Sequence, residues 1–158
     1  MTTGDYYQPY GDPGLPSAGL RPGGLAARFF ARVIDGLIVG IGGFILAFFT
    51  DTLSNIWVTG LFSGLLTFVY FLVFEITQGW TPGKRVLGLR VFGPHGAAKP
   101  TAQQSAIRNA WTLLPIIPFI GGLLAVVAIL VIAVTISGSP TKQGKHDELA
   151  GGTQVAKG

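Results

Sequence analysis

Three long apolar stretches dominate the chain, and each is far too long for a strand or a short buried helix. Val33–Phe49 is 17 residues interrupted only by Asp35, Ile56–Phe74 is 19 residues without a charge, and Leu113–Ile136 is 24 residues without a charge. Crossing a hydrocarbon layer ~30 Å thick takes about 20 helical residues at ~1.5 Å rise each. All three runs fall in that range. Lipid offers no water to unpaired backbone groups, so each run is expected to be helical.

The segments between the runs set the topology. Thr50–Asn55 is long enough only for a tight turn, so the first two runs form a helical hairpin. Glu75–Ala110 is a 36-residue loop carrying Lys84, Arg85, Arg90, Lys99 and Arg108 against a single acid, Glu75. Arg21, Arg28 and Arg32 precede the first run, while the short turn holds Asp51 and no cation. Basic residues collect on the cytoplasmic side of a membrane, so the N-terminus and the long loop are expected there. Within the loop, Val86–Phe92 reads as a short strand and Gly93-Pro94-His95-Gly96 as a turn. Thr101 and Gln104 form a capping-box pattern, predicting a short interfacial helix from about Ala102 to Ala110 with Trp111 as its aromatic anchor. The fold class is therefore an all-α integral membrane protein: a transmembrane hairpin plus a third membrane segment, with a small cytoplasmic loop holding a strand and an interfacial helix.

Three regions follow. Residues 1–24 are rich in Gly, Pro and Tyr, show no periodicity and read as a disordered tail. They lack the basic start and apolar stretch of a signal peptide, so the first run is expected to act as an uncleaved anchor. Residues 25–156 form the membrane domain, with spans at about 33–49, 56–74 and 113–136, and residues 137–158 are a polar tail. The third run is crowded with Pro115, Pro118, Gly121 and Gly122 in its first third. One kinked span, which leaves the C-terminus outside, is the preferred reading. The alternative is a re-entrant turn near Pro118–Gly122 that returns the tail to the cytoplasm, and Lys142 and Lys145 favour it.

Composition agrees with a membrane protein and narrows the chemistry. Only 11 % of residues are charged and 49 % are hydrophobic, against about 25 % charged in soluble domains. There is no cysteine, and the two histidines, His95 and His146, lie in separate loops. Disulfides, thiol nucleophiles and a structural zinc site are thereby excluded or disfavoured, and no cofactor is expected. The net charge of +4 sits beside the apolar runs, which argues for lipid rather than nucleic acid.

One charged segment invites closer reading. On a helix, Arg28, Arg32 and Asp35 share one face, three and seven residues apart. Asp35 lies about one turn inside the first span, where an unpaired charge is costly. Arg32 is expected to pair with it and snorkel to the headgroups. Glu75 closes the second span at the same boundary, and Lys84 and Arg85 follow. The bland reading of this membrane-boundary cluster is a clamp that fixes depth and tilt. The functional reading is an ion or proton site. The clamp is preferred, because transporter sites usually sit near the midplane, here at the level of Ile41, Leu65 and Ala125.

Two small-residue pairs, Gly36/Gly40 and Gly60/Gly64, suit close helix packing in lipid. In an antiparallel hairpin Gly60/Gly64 fall opposite Gly43/Ala47 and can pack internally. Gly36/Gly40 fall opposite Leu65–Val69 and are free for a helix of another protein. The stretch Gly79–Arg85 superficially resembles a phosphate loop but has three residues between its glycines instead of four, and Arg85 where Ser or Thr would bind magnesium.

Four segments together resemble the RDD family of membrane proteins. They are Arg28 to Asp35, the stretch Thr81-Pro-Gly-Lys-Arg-Val-Leu-Gly-Leu-Arg-Val91, the pair Arg108-Asn109, and the tail from His146-Asp147 to Val155. The resemblance covers about residues 25–156, and the Pro/Gly/Tyr-rich start is similar to that of actinobacterial members. It implies a bacterial plasma-membrane protein, with transport of unidentified ligands often suggested for the family. Arg28 and Asp35 match the arginine and first aspartate of the family name. No aspartate lies in the second or third run, where Glu75 is the nearest acid. The tail resemblance implies that Gln154-Val155 pairs as a strand with Leu89–Phe92, which requires a cytoplasmic tail.

No set of residues forms an enzyme site. The expected function is a non-catalytic accessory or structural subunit that packs against the helices of a larger membrane complex, a respiratory assembly being one host. The alternative is a small oligomeric transporter or ion exchanger in which Arg32, Asp35 and Glu75 serve as ion ligands. A third reading has the N-terminal tail recruit a soluble partner.

Overall fold

A computed structural model describes residues 20–157. Three of its helices are long and apolar enough to cross a membrane: α1 (Leu25–Phe49), α2 (Ile56–Gln78) and α5 (Gly121–Gly138). α1 and α2 form the expected hairpin. Asn55 starts α2 by accepting hydrogen bonds from the backbone N–H groups of Trp57 and Val58 at 3.1 and 3.3 Å, which satisfies two donors that a helix N-terminus leaves free. Gly79 ends α2 in the left-handed region (φ 75°), where a residue without Cβ is favoured.

The loop after α2 is more ordered than its sequence suggests. Thr81 caps a five-residue helix α3 (Pro82–Val86), with Pro82 in the first turn where its missing N–H costs nothing. The strand β2 is therefore shorter than expected, Leu89–Phe92. It pairs antiparallel with β3 (Gln154–Lys157), with Val91 opposite Val155. A two-residue strand β1 (Arg21–Pro22) pairs with the other edge of β3, giving the order β1-β3-β2. This corrects the expectation that all of residues 1–24 form a disordered tail, since its last few residues are tied to β3. The tail's proposed role in recruiting a soluble partner falls on residues 1–19, outside the described residues. Leu89, Val91 and Val155 pack with Ala31 of α1 into a buried apolar cluster that seats the sheet against the first turns of α1.

The third apolar run is not one kinked span. The helix α4 (Ala102–Asn109) continues into a 3-10 segment, Ala110–Ile116, that climbs the side of α2. Ser105 and Asn109 touch Glu75 near one end of α2, and Pro115 and Ile116 lie against Gly60 and Gly64 near the other. Fifteen helical residues separate Gly60 from Glu75, about 22 Å along the axis. The chain then reverses at Pro118–Ile120, with Phe119 at φ 66°, and α5 descends. At this turn a Cβ on Gly121 would overlap the Leu114 carbonyl, so only glycine fits. The tail thus returns to the face that holds the long loop and β2. This is the re-entrant alternative, and the reading that left the C-terminus on the opposite face is overturned. Pro115 and Pro118 disrupt the hydrogen-bond ladder that a straight span needs. The tail itself, 137–157, is structured, with a short helix α6 (Lys145–Leu149) preceding β3.

Candidate functional site

Buried charge is concentrated at the end of the bundle where the loop and tail meet. Arg28, Asp35, Glu75, Lys84, Arg108 and Asp147 are all buried, each of the three carboxylates completely. Ionised groups taken out of water must be paired and hydrogen-bonded, so the partner of each decides what the cluster can do.

Asp35 is held by a network of its own. One oxygen accepts hydrogen bonds from the Tyr70 hydroxyl and the Gly83 backbone N–H, each at 2.8 Å, and the other accepts from the Thr81 hydroxyl. A Cβ on Gly83 would overlap the Ala31 carbonyl and crowd the Asp35 carboxyl, so the glycine lets α3 lie directly on α1. The expected Arg32–Asp35 pair does not form. Arg32 instead lies over the Phe71 ring at 3.7 Å and donates one hydrogen bond to Asn109. The reason is competition: three donors brought by α2 and α3 fill the Asp35 oxygens.

Glu75 is the second node. One oxygen accepts from Lys84 Nζ, and the other from the Ser105 hydroxyl and Asn109 Nδ2 at 2.8 and 2.9 Å. Burial pushes the Lys84 ammonium down to about 8, against the pull of Glu75 that favours its charged form.

Asp147 is the third. Arg28 donates to one oxygen at 2.9 Å, and Arg108 Nε stands 3.3 Å from the other, which also accepts from the Thr153 hydroxyl. The two arginines and the Gly144 N–H hold the carboxyl well below the usual carboxylate range despite burial. The remaining Arg28 donors go to the carbonyls of Gly23, Lys142 and Val155. Arg28 therefore ties the first helix to β1, to the α5–α6 connection and to β3. The neighbouring His146 is driven down to about 3, chiefly by desolvation, and its Nδ1 is buried without a partner.

Of the cluster read from sequence, Arg28, Arg32, Glu75 and Lys84 converge here with His146 and Asp147. Asp35 sits beside them in its separate network. Arg85 does not join: it is exposed and lies over the Trp80 ring at 4.5 Å. Arg108 is the node that charge spacing missed, as were its companions Ser105 and Asn109. The i, i+4 spacing of Ser105 and Asn109 on a capped helix is the one local signal that points to a shared polar face. Trp111 does not stand at the open interface as an aromatic anchor, since its Nε1 is buried and Arg32 lies over its ring. The glycine pairs also divide differently. Gly60 and Gly64 receive Pro115 and Ile116, not Gly43 and Ala47, because the re-entrant segment reaches them first. Gly36 and Gly40 have open space where a Cβ would stand.

Among the described residues no group of three or more His, Cys, Asp or Glu is arranged to hold a metal. No curated protein and no solved structure matches the chain. The family model of the RDD family matches residues 22–151. That range holds the whole bundle, the three carboxylate nodes and their arginines, and the chain belongs to the RDD family.

Proposed function

We propose that this protein is a non-catalytic accessory subunit of a larger assembly in the bacterial plasma membrane, with its N-terminus in the cytoplasm. The observation that carries this reading is the bare face of α1. Gly36 and Gly40 have nothing within 4 Å of a Cβ position, while Leu37, Ile41 and Phe44 near them are strongly exposed. Small residues four apart allow a second helix to approach the backbone closely, and packing of that kind drives association in lipid. The buried carboxylates, by contrast, are occupied in holding loop and tail to the bundle, which suits a scaffold. The basic loop face and the acidic Asp51 turn support the orientation. Gly40→Leu tests the assignment. In native mass spectrometry of mildly extracted membranes, the wild-type chain is expected within a larger complex and the variant as a free chain. An unchanged complex would remove the proposal.

A second reading, ion exchange by an oligomer, draws on two acids, Asp35 and Glu75, that lie inside spans. An ion ligated there would have to displace three donors from each. Flux in proteoliposomes that is lost in Asp35→Asn would favour exchange over the subunit reading.

A further inference from the structure

The strongest unexplained feature is a cleft of about 240 Å³ between α1 and α5, above α4 and the sheet. Its walls are apolar: Phe29 and Val33 from α1, and Ile129, Ile132 and Ala133 from α5. Its floor is not. Arg28, Arg32, Lys84 and Arg108 all line it, and among the described residues these four cations have only Asp35, Glu75 and Asp147 as buried acids in the same end of the bundle. One positive charge is left without a counterion.

The hydrogen-bond inventory locates that charge. Arg28 donates to Asp147 and three carbonyls, and Lys84 is paired with Glu75. Arg108, 1 % exposed, has Nε turned to Asp147 at 3.3 Å but keeps NH1 without a hydrogen bond, and Arg32 keeps NH1 free. Trp111 Nε1 is likewise buried, donor-only and unpartnered, and it lines the same cleft. Buried donors normally find acceptors. Two guanidinium groups and an indole N–H, each with a donor left unsatisfied on a residue that lines one cleft, form an anion site, since none of these groups can accept a hydrogen bond. Arginine forks suit the oxygens of a phosphate or carboxylate.

The walls decide the source of the anion. A bare phosphate would leave the apolar walls uncovered, and the cleft exceeds a ~150 Å³ cavity that already holds a benzene-sized guest. It lies beside the first turns of α1 and the last turns of α5, at the level where a leaflet changes from headgroup to acyl chain. We propose that the cleft binds one anionic phospholipid from the bilayer. Its phosphate oxygens accept from Arg32 NH1, Arg108 NH1 and Trp111 Nε1, and its acyl chain lies along Phe29, Val33 and Ile132.

Trp111 supplies a reporter. In a Trp57→Phe, Trp80→Phe background, the full chain is placed in nanodiscs of zwitterionic phosphatidylcholine with a few per cent of acyl-brominated phosphatidylglycerol. Trp111 emission is expected to be quenched at least fivefold more than with the same fraction of brominated phosphatidylcholine. Arg32→Gln is expected to reduce that preference about tenfold, with Arg32→Lys restoring part of it. Ala133→Phe, which fills the cleft and leaves every charge in place, is expected to abolish it while the protein elutes as a single species. Equal quenching by both lipids would overturn the proposal. So would loss of the preference on adding millimolar inorganic phosphate, which would make the site one for a free anion.

Discussion

Arg108 Nε lies 3.3 Å from Oδ1 of Asp147, so the helix that follows the basic loop is tied directly to the C-terminal tail. Both groups are almost completely buried, and Arg28 reaches the same carboxylate from α1. Removing the shared acid leaves two guanidinium groups uncompensated. Breaking a buried pair from one side costs about 3–5 kcal/mol. Asp147→Asn is expected to lose stability of that order and to free the tail from β1 and β2. Limited proteolysis in detergent is expected to clip the variant within residues 138–157 while the wild type resists.

The same carboxylate makes the fold acid-sensitive, with His146 beside it. His146 is held near 3 in the folded protein and titrates near 6.5 when unfolded. Between those values the unfolded chain binds a proton that the folded chain refuses, so stability is full above pH 6.5 and falls as pH drops. One proton corresponds to about 1.4 kcal/mol per pH unit. Asp147, whose acidity is also strengthened by folding, acts in the same direction below its ordinary value of 3.8. Unfolding midpoints measured between pH 7 and 4.5 are expected to fall for the wild type and to fall less for His146→Leu.

Two glycines separate a packed position from an open one. Gly83→Ala puts a Cβ into the Ala31 carbonyl and against the Asp35 carboxyl, an overpacking expected to cost about 1–3 kcal/mol. Gly36→Ala meets nothing within 4 Å and gains helix propensity, about 1 kcal/mol at most. Thermal unfolding of the isolated chain in detergent is expected to order the three proteins as Gly36→Ala, wild type, Gly83→Ala. Equal midpoints for Gly83→Ala and wild type would contradict the close approach of α3 to α1.

How far the sequence reaches is visible in these same positions. The hairpin and the membrane class were legible because apolar runs of 17 to 24 residues with at most one charge leave little alternative. The return of the tail was legible through Lys142 and Lys145 and through the family resemblance of Gln154-Val155. Hydropathy cannot separate a kinked span from a 3-10 ascent and a helical descent, since both are equally apolar, although Pro115, Pro118 and Gly121 marked the break. Spacing put Arg32 and Asp35 on one face, but the donors that claimed Asp35 come from Tyr70, Thr81 and Gly83, 35 to 48 residues away. Arg108 was counted as one more loop cation because nothing local shows that two distant acids, Glu75 and Asp147, would flank it.

The topology yields a labelling prediction that a chain without cysteine makes clean. Single cysteines at Lys99 in the loop, Lys157 in β3 and Asp51 in the hairpin turn are expected to divide two to one. With a membrane-impermeant maleimide, positions 99 and 157 react in the same vesicle orientation and position 51 in the other. Position 157 reacting with 51 would restore the single kinked span and remove the β2–β3 pairing in the membrane.

Glu75 and Lys84 give the sharpest energetic test, because each is buried and each leaves the other costly. In Glu75→Gln the side chain still accepts one hydrogen bond from Ser105 or Asn109, so the loss falls mainly on Lys84, 4 % exposed and deprived of its acceptor. A loss of about 3–5 kcal/mol is expected. In Lys84→Met the carboxylate keeps Ser105 and Asn109 as donors and Arg108 Nε at 3.9 Å, so its loss is expected to be smaller. The double variant Glu75→Gln, Lys84→Met removes both charges and leaves neither orphaned, and replacing a buried pair by uncharged groups is often close to neutral. Unfolding in mixed micelles with increasing SDS is therefore expected to rank Glu75→Gln as least stable, with the double variant above it. A double variant that falls below both single variants would mean that Lys84 is not held in place by Glu75, and that the bond between the second span and α3 is not what anchors the loop.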